Sequence, residues 1–140
     1  MNGNMNIAQE DVVTTVLIAD DDEDVLELVR LGLTGSGYEI LTARDGLTAL
    51  ATARELKPTV ALLDVSMPEL DGFEVTSALK NDAATKDIVV ILFTARSLAS
   101  DVEKGYEMGA DDYIMKPFTL KTLQSRVLAA LERAAHATAS

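Results

Sequence analysis

Apolar and polar positions alternate along this chain in two different rhythms. Short apolar runs recur: Thr15-Val16-Leu17-Ile18-Ala19, Val60-Ala61-Leu62-Leu63 and Ile88-Val89-Val90-Ile91-Leu92-Phe93. Between them lie longer stretches with a helical period. The clearest is the last, where Leu120, Leu123, Val127 and Leu131 fall on one stripe. The pattern predicts strands at 15–20, 38–42, 59–63, 88–93 and 112–115, and helices at 22–35, 45–56, 70–82, 97–108 and 119–134. Gly35 and Gly37 punctuate the first helix end as left-handed caps do. Pro58 stops the second helix, and Pro117 opens the last helical region.

The runs at 60–63 and 88–93 are apolar throughout, as in strands covered on both faces. Tyr38-Glu39-Ile40-Leu41-Thr42 alternates instead, as an edge strand does. Repeated strand–helix units imply a parallel sheet with right-handed crossovers. The expected fold is α/β: a flavodoxin-like three-layer sandwich, with a five-stranded parallel sheet in order 2-1-3-4-5 and five helices. Ligands of such sheets bind outside the carboxyl ends of the strands, near the point where the strand order reverses.

Composition narrows the field. A length of 140 residues is that of one domain, and 48% hydrophobic content fills a core with few aromatics. We expect a polar N-terminal tail over 1–13, one domain over 14–134, and a C-terminal tail or linker stub over 135–140. The net charge of −11 argues against direct nucleic-acid binding, which needs basic residues at phosphates, and against anionic membranes. No cysteine is present, so disulfides, thiolate metal sites and cysteine nucleophiles are excluded. No apolar run is long enough to span a membrane, and the first residues lack the pattern of a signal peptide, so the expected location is the cytoplasm.

Candidate chemistry gathers at the strand ends. Five consecutive acids, Asp20, Asp21, Asp22, Glu23 and Asp24, follow the first strand. Asp64 follows the third, Thr94 the fourth and Lys116 the fifth. In the order 2-1-3-4-5 the first and third strands are neighbours, so Asp20, Asp21 and Asp64 should converge. Like charges a few ångströms apart repel by about 1 kcal/mol in water and by several times that near a protein surface. A divalent cation relieves the repulsion, and hard carboxylate oxygens suit Mg²⁺. The chemistry best served is phosphoryl transfer to a carboxylate, with Asp64 as nucleophile and Asp21 and Asp64 on the metal. Asp20 would act mostly through water, while Lys116 and Thr94 contact phosphoryl oxygens.

The segments VLIADDDEDV, LLDVSMPELDG, ILFTAR and GADDYIMKPF, in this order, resemble those of receiver (response-regulator) domains of bacterial two-component phosphorelay signalling. With their spacing they cover roughly residues 14–133. The resemblance implies that Asp64 is the phosphoacceptor and that Asp20 and Asp21 are the acidic pair. It places Mg²⁺ (or Mn²⁺) on Asp21 directly, with Asp64 and the backbone carbonyl of Ser66 as further ligands. Thr94 matches the switch hydroxyl, Tyr113 the switch aromatic, and Lys116 the site lysine; the Lys116–Pro117 bond is expected to be cis. The implied partners are a sensor histidine kinase or phosphotransfer protein as donor, and a downstream effector or output domain. Phosphorylation adds roughly −1.5 to −2 charge and shifts the surface of helix 4, strand 5 and helix 5. A phosphorylation-dependent homodimer also belongs to the implied repertoire. Glu107, Asp111, Asp112 and Arg126 match charges of a dimer face, whereas Leu98 and Val102 stand where basic residues are usual. Ser66 and Arg96 flank the path of hydrolytic water.

Singly, these residues have plainer readings. Asp22 caps a helix, Thr94 could do the same, Lys116 could be solvated, and Tyr113 could be a half-buried strand aromatic. Asp71-Gly72 reads as a turn and helix start, Asp111-Asp112 as the end of a loop, and His136 as solvated. Two rival functions come from other classes. A phosphate-independent docking module would be expected to lose part of the acid–hydroxyl–lysine set. A phosphatase with an aspartyl intermediate would want an acid where Ser66 stands. The domain is therefore read as a phosphoacceptor and not as an enzyme, beyond catalysing its own phosphorylation and dephosphorylation.

Overall fold

A computed structural model describes residues 13–139, with side chains through His136. The tail expected over 1–13 therefore lies, but for Val13, outside the described residues. The elements alternate: β1 (Thr15–Ala19), α1 (Glu23–Thr34), β2 (Glu39–Ala43), α2 (Gly46–Leu56), β3 (Val60–Leu63), α3 (Gly72–Lys80), β4 (Val89–Thr94), α4 (Ala99–Glu107), β5 (Asp112–Met115) and α5 (Leu120–Ala139). All strand pairs are parallel and the order is β2-β1-β3-β4-β5, as the sequence pattern implies.

The two-residue period of the strands splits the core into two layers. Leu17, Ala61, Leu63, Val90, Leu92 and Tyr113 face α2, α3 and α4. Val16, Ile18, Val60, Leu62, Ile91 and Phe93 face α1 and α5, meeting Leu26, Val29, Leu123 and Val127. Burying one such Leu or Val side chain contributes roughly 1.5–3 kcal/mol. β2 is an edge with only Ala43 buried, which explains its alternating sequence.

Aspartates start three helices. Asp22 accepts from Asp24 N, Asp45 from Thr48 N, and Asp71 from Glu74 N in a reciprocal capping box. α4 starts at Leu98 without any side-chain cap, so Thr94 does not cap it; Thr94 is the last residue of β4. Two local expectations change, at the end of α1 and at the end of α5. Gly35 ends α1 in a right-handed conformation (φ −62°), and only Gly37 has positive φ (85°). The left-handed cap of α2 is Lys57 (φ 45°), directly before Pro58. α5 runs to Ala139, five residues beyond its expected end, because Ala-rich sequence carries no stop signal. The Lys116–Pro117 bond is cis.

Candidate functional site

The site is assembled by register. β1 and β3 are paired with Ala19 opposite Leu63, so Asp20 and Asp64 leave the sheet side by side. Backbone bonds hold both: Asp64 N donates to Ala19 O at 2.9 Å and Asp20 N to Ala43 O at 3.1 Å. On the other flank Thr94 pairs with Met115, and Lys116 N donates to Thr94 O at 2.8 Å. Four strand ends thus deliver Asp20, Asp64, Thr94 and Lys116 to one edge. Asp21 follows Asp20 and is exposed, whereas Asp20 and Asp64 are 1% and 5% exposed.

Three carboxylates close the centre. Asp20, Asp21 and Asp64 each offer an oxygen within 4.8 Å of the others. Lys116 Nζ donates to Asp20 Oδ2 at 2.7 Å and to Asp64 Oδ2 at 3.4 Å. Its ammonium also lies 5.0 Å from the centre of the Phe93 ring, a favourable cation–π position. Asp64 Oδ1 accepts from Ser66 N at 3.2 Å, and Asp20 Oδ1 from Asp22 N at 2.9 Å.

Electrostatics follow from this crowding. Burial raises the pKa of Asp64, and the Asp20 charge raises it further; Lys116, the Ser66 amide and the Thr94 hydroxyl pull the other way without cancelling the rise. For Lys116, burial works to lower the pKa, but the hydrogen bond to Asp20 and the charges of Asp64 and Asp20 outweigh it, so the net shift is upward. Lys116 stays an ammonium, and one cation faces three acids. The donor set is all carboxylate oxygen and carries surplus negative charge, which fits a small hard divalent ion. Asp20, Asp21 and Asp64 are the side chains that would hold it.

Tyr113 stands apart from the acids. Its ring is buried on the α4 side of β5, and its hydroxyl donates to Arg96 O at 2.8 Å. Burial and then Asp101 raise its pKa, so it remains a phenol and a donor. Ser66 and Arg96 lie two residues beyond Asp64 and Thr94. The Ser66 amide donates to Asp64, and Arg96 N reaches Thr94 Oγ1 at 3.4 Å.

Several supporting residues escaped the sequence reading. Gly72 opens α3 against the strand end that carries Asp64: a Cβ there would lie 2.5 Å from Asp64 O and 2.8 Å from Val65 Cα. Gly46 likewise abuts the Leu70 carbonyl. The signal was a glycine directly after an aspartate cap; Asp71-Gly72 reads from sequence only as a turn and helix start, and Gly46 carried no expectation. Asp111 does not stand free on a dimer face. Its Oδ2 accepts from Lys80 Nζ at 2.9 Å and Val90 N at 2.8 Å, while Asp112 pairs with Arg126 at 2.6 Å within the chain. His136 is exposed, but it lies within α5.

Comparison with known proteins gives the class. Residues 16–128 match the family model for the response regulator receiver domain. The transcriptional regulatory protein PrrA of Mycobacterium tuberculosis is 48% identical over 118 residues, covering 84% of this chain and 50% of that protein. The DNA-binding dual master transcriptional regulator RpaA of Synechocystis is 40% identical, covering 84% and 49%. The chain spans about half the length of these curated relatives. Among solved structures, a response regulator from Chloroflexus aurantiacus superposes with TM-score 0.82 at 35% identity, over 86% of this chain and 99% of that one. A CheY-like receiver domain from Methanospirillum hungatei gives 0.84 at 25% identity, over 89% and 98%. This chain belongs to the response regulator receiver domain family. It is a receiver domain of two-component signalling, a signalling domain and not a classical enzyme. Among the described residues no helix is long and apolar enough to cross a membrane.

Proposed function

We propose that this chain is a phosphorylation-dependent switch whose acceptor is Asp64. The observation that carries the reading is the position of that carboxylate, which is almost wholly buried, within reach of Lys116 and beside Asp20 and Asp21. The donor is phosphohistidine on a sensor histidine kinase or phosphotransfer protein. An Asp64 oxygen forms the new O–P bond as the P–N bond breaks; the imidazole leaves with the electron pair and takes up a proton. Asp20, Asp21, Asp64 and the Ser66 carbonyl would hold Mg²⁺, which would supply charge neutralisation at the phosphoryl oxygens. Lys116 exchanges part of its bonding to Asp20 and Asp64 for a phosphoryl oxygen, and Thr94 donates its hydroxyl to another. Such transfer depends mainly on positioning and charge stabilisation.

The apolar hollow beside Lys116, lined by Val25, Leu28, Ala95, Pro117 and Phe118, supports docking of a partner at this edge. The output is a change in the α4–β5–α5 surface that controls an effector or an output domain. The relatives named as transcriptional regulators support the latter, with DNA contacted by that other domain and not by this acidic one. The unit runs over residues 14–134 and works in the cytoplasm.

The test is labelling with acetyl phosphate and Mg²⁺, read by intact mass. One alkali-labile phosphoryl group is expected in the parent and none in Asp64→Asn. Absence of label with every donor, a cognate kinase included, would leave a phosphate-independent docking module; turnover of phosphomonoesters would indicate a phosphatase.

A further inference from the structure

Gly105 is the only buried residue of α4 among those described. It sits mid-helix, where glycine is a poor helix former and its presence calls for a packing reason. The reason is visible beneath it. A Cβ at Gly105 would lie 2.9 Å from Leu92 Cδ1, 3.0 Å from Tyr113 Cδ2 and 3.2 Å from Tyr113 Cε2. Two side chains therefore occupy the space that any larger residue would claim. They differ in their freedom to yield. Leu92 is completely buried on β4, with β3 on one side and β5 on the other. Tyr113 belongs to β5, the edge strand, and its hydroxyl is held by one hydrogen bond to Arg96 O.

We propose that Gly105 is the positioning residue for Tyr113: the missing side chain at the centre of α4 is what admits the ring beneath the helix and lets its hydroxyl reach the Arg96 carbonyl. The inference rests on the reading of Tyr113 as the switch side chain. A methyl group at 105 meets the Leu92 tip at 2.9 Å and the Tyr113 ring at 3.0 Å, and on this proposal it is the ring on the edge strand that gives way. Arg96 lies in the segment between Thr94 and α4, so loss of the Tyr113–Arg96 bond releases the backbone that follows the Thr94 hydroxyl. Helix α4 is suited to respond. It has no side-chain N-cap, and its other inward residue, Val102, and its C-cap, Met108, are only partly buried. Weakly packed elements of this kind are the ones that move.

The experiment uses the full chain with Tyr38→Phe and Tyr106→Phe, which leaves Tyr113 as the single tyrosine. Incorporated 3-fluorotyrosine then reports the ring by ¹⁹F NMR, without added phosphate donor. In the parent the resonance should be displaced from that of free fluorotyrosine, with little solvent isotope shift. In Gly105→Ala it should move toward the free position, with at least a doubling of the isotope shift. An unchanged resonance overturns the proposal. A second measurement separates positioning from a plain clash and holds even for a poorly folding variant. Gly105→Ala should lower the melting midpoint when Tyr113 is present and raise it in a Tyr113→Ala background, where helix propensity alone remains. Lowering in both backgrounds would place the conflict at Leu92 and sink the idea. Failure of the switch reading looks different: acetyl phosphate would label Asp64 yet leave the parent Tyr113 resonance where it was, whatever Gly105→Ala does.

Discussion

Asp64 is held in an unfavourable place, and that is measurable. Its pKa is raised in the folded protein by burial and by Asp20. The native state therefore binds its proton more tightly than the unfolded chain, whose value is near 3.8. Between 3.8 and the raised value the native state carries more protons, so stability falls as pH rises through that window. Asp64→Asn removes this penalty. We expect it to stabilise the metal-free protein at pH 7 by on the order of 1 kcal/mol, the repulsion relieved minus the Lys116 attraction lost. The advantage should shrink as pH is lowered toward 4, since the parent carboxyl then becomes neutral too. Urea denaturation of both proteins between pH 4 and 8 checks the sign; an advantage that grows on acidification would contradict it.

Gly46 and Gly72, at the starts of α2 and α3, lie directly against backbone, whereas Gly35, at the end of α1, meets nothing. Gly72 lies against the Asp64 carbonyl, which belongs to the strand-end backbone and cannot swing aside as a side-chain tip can. Gly72→Ala should cost about 1–3 kcal/mol, as overpacking does, and should slow acetyl phosphate labelling by displacing Asp64. Gly35 is the control. It has φ −62°, and a methyl group added there would meet nothing within 4 Å, so Gly35→Ala should be neutral or stabilising by about 0.4–1 kcal/mol. Thermal melts and labelling rates of the two variants, measured side by side, test the contrast. The sequence revealed the helices and two of their starts, through Asp22 and Asp71-Gly72, while the Asp45 cap went unread. It concealed the difference between these glycines, because a close approach depends on how the loop after β3 folds back on the strand end, which no local pattern shows. The end of α5 was hidden for another reason: alanine propagates a helix without marking its last turn.

For the molecule as a whole, surplus negative charge is concentrated at one edge of a sheet otherwise held by two apolar layers. A divalent ion that binds only the folded state must then stabilise the fold. At tenfold its Kd the gain is about 1.4 kcal/mol. We expect the melting midpoint to rise with Mg²⁺ and return on chelation. The effect should be lost in Asp21→Ala, which keeps the buried acids. A Mg²⁺-independent midpoint in the parent would remove magnesium from the account. The Asp111–Lys80 and Asp112–Arg126 pairs sit on another part of the surface. Both pairs are made within one chain, and exposed Leu98 and Tyr106 are the apolar residues on α4 and its start.

Order along the chain was enough for the strands, their parallel arrangement and the gathering of Asp20, Asp21, Asp64, Thr94 and Lys116. Apolar periodicity dictates which faces are buried, and connected βα units leave few ways to stack them. Distances were another matter. That Lys116 leans on Asp20 more closely than on Asp64, that Asp111 turns inward to Lys80, and that Gly105 makes room for Tyr113 depend on how helices settle on the sheet. Such contacts join different elements of the fold and are set by close packing, which no local pattern encodes.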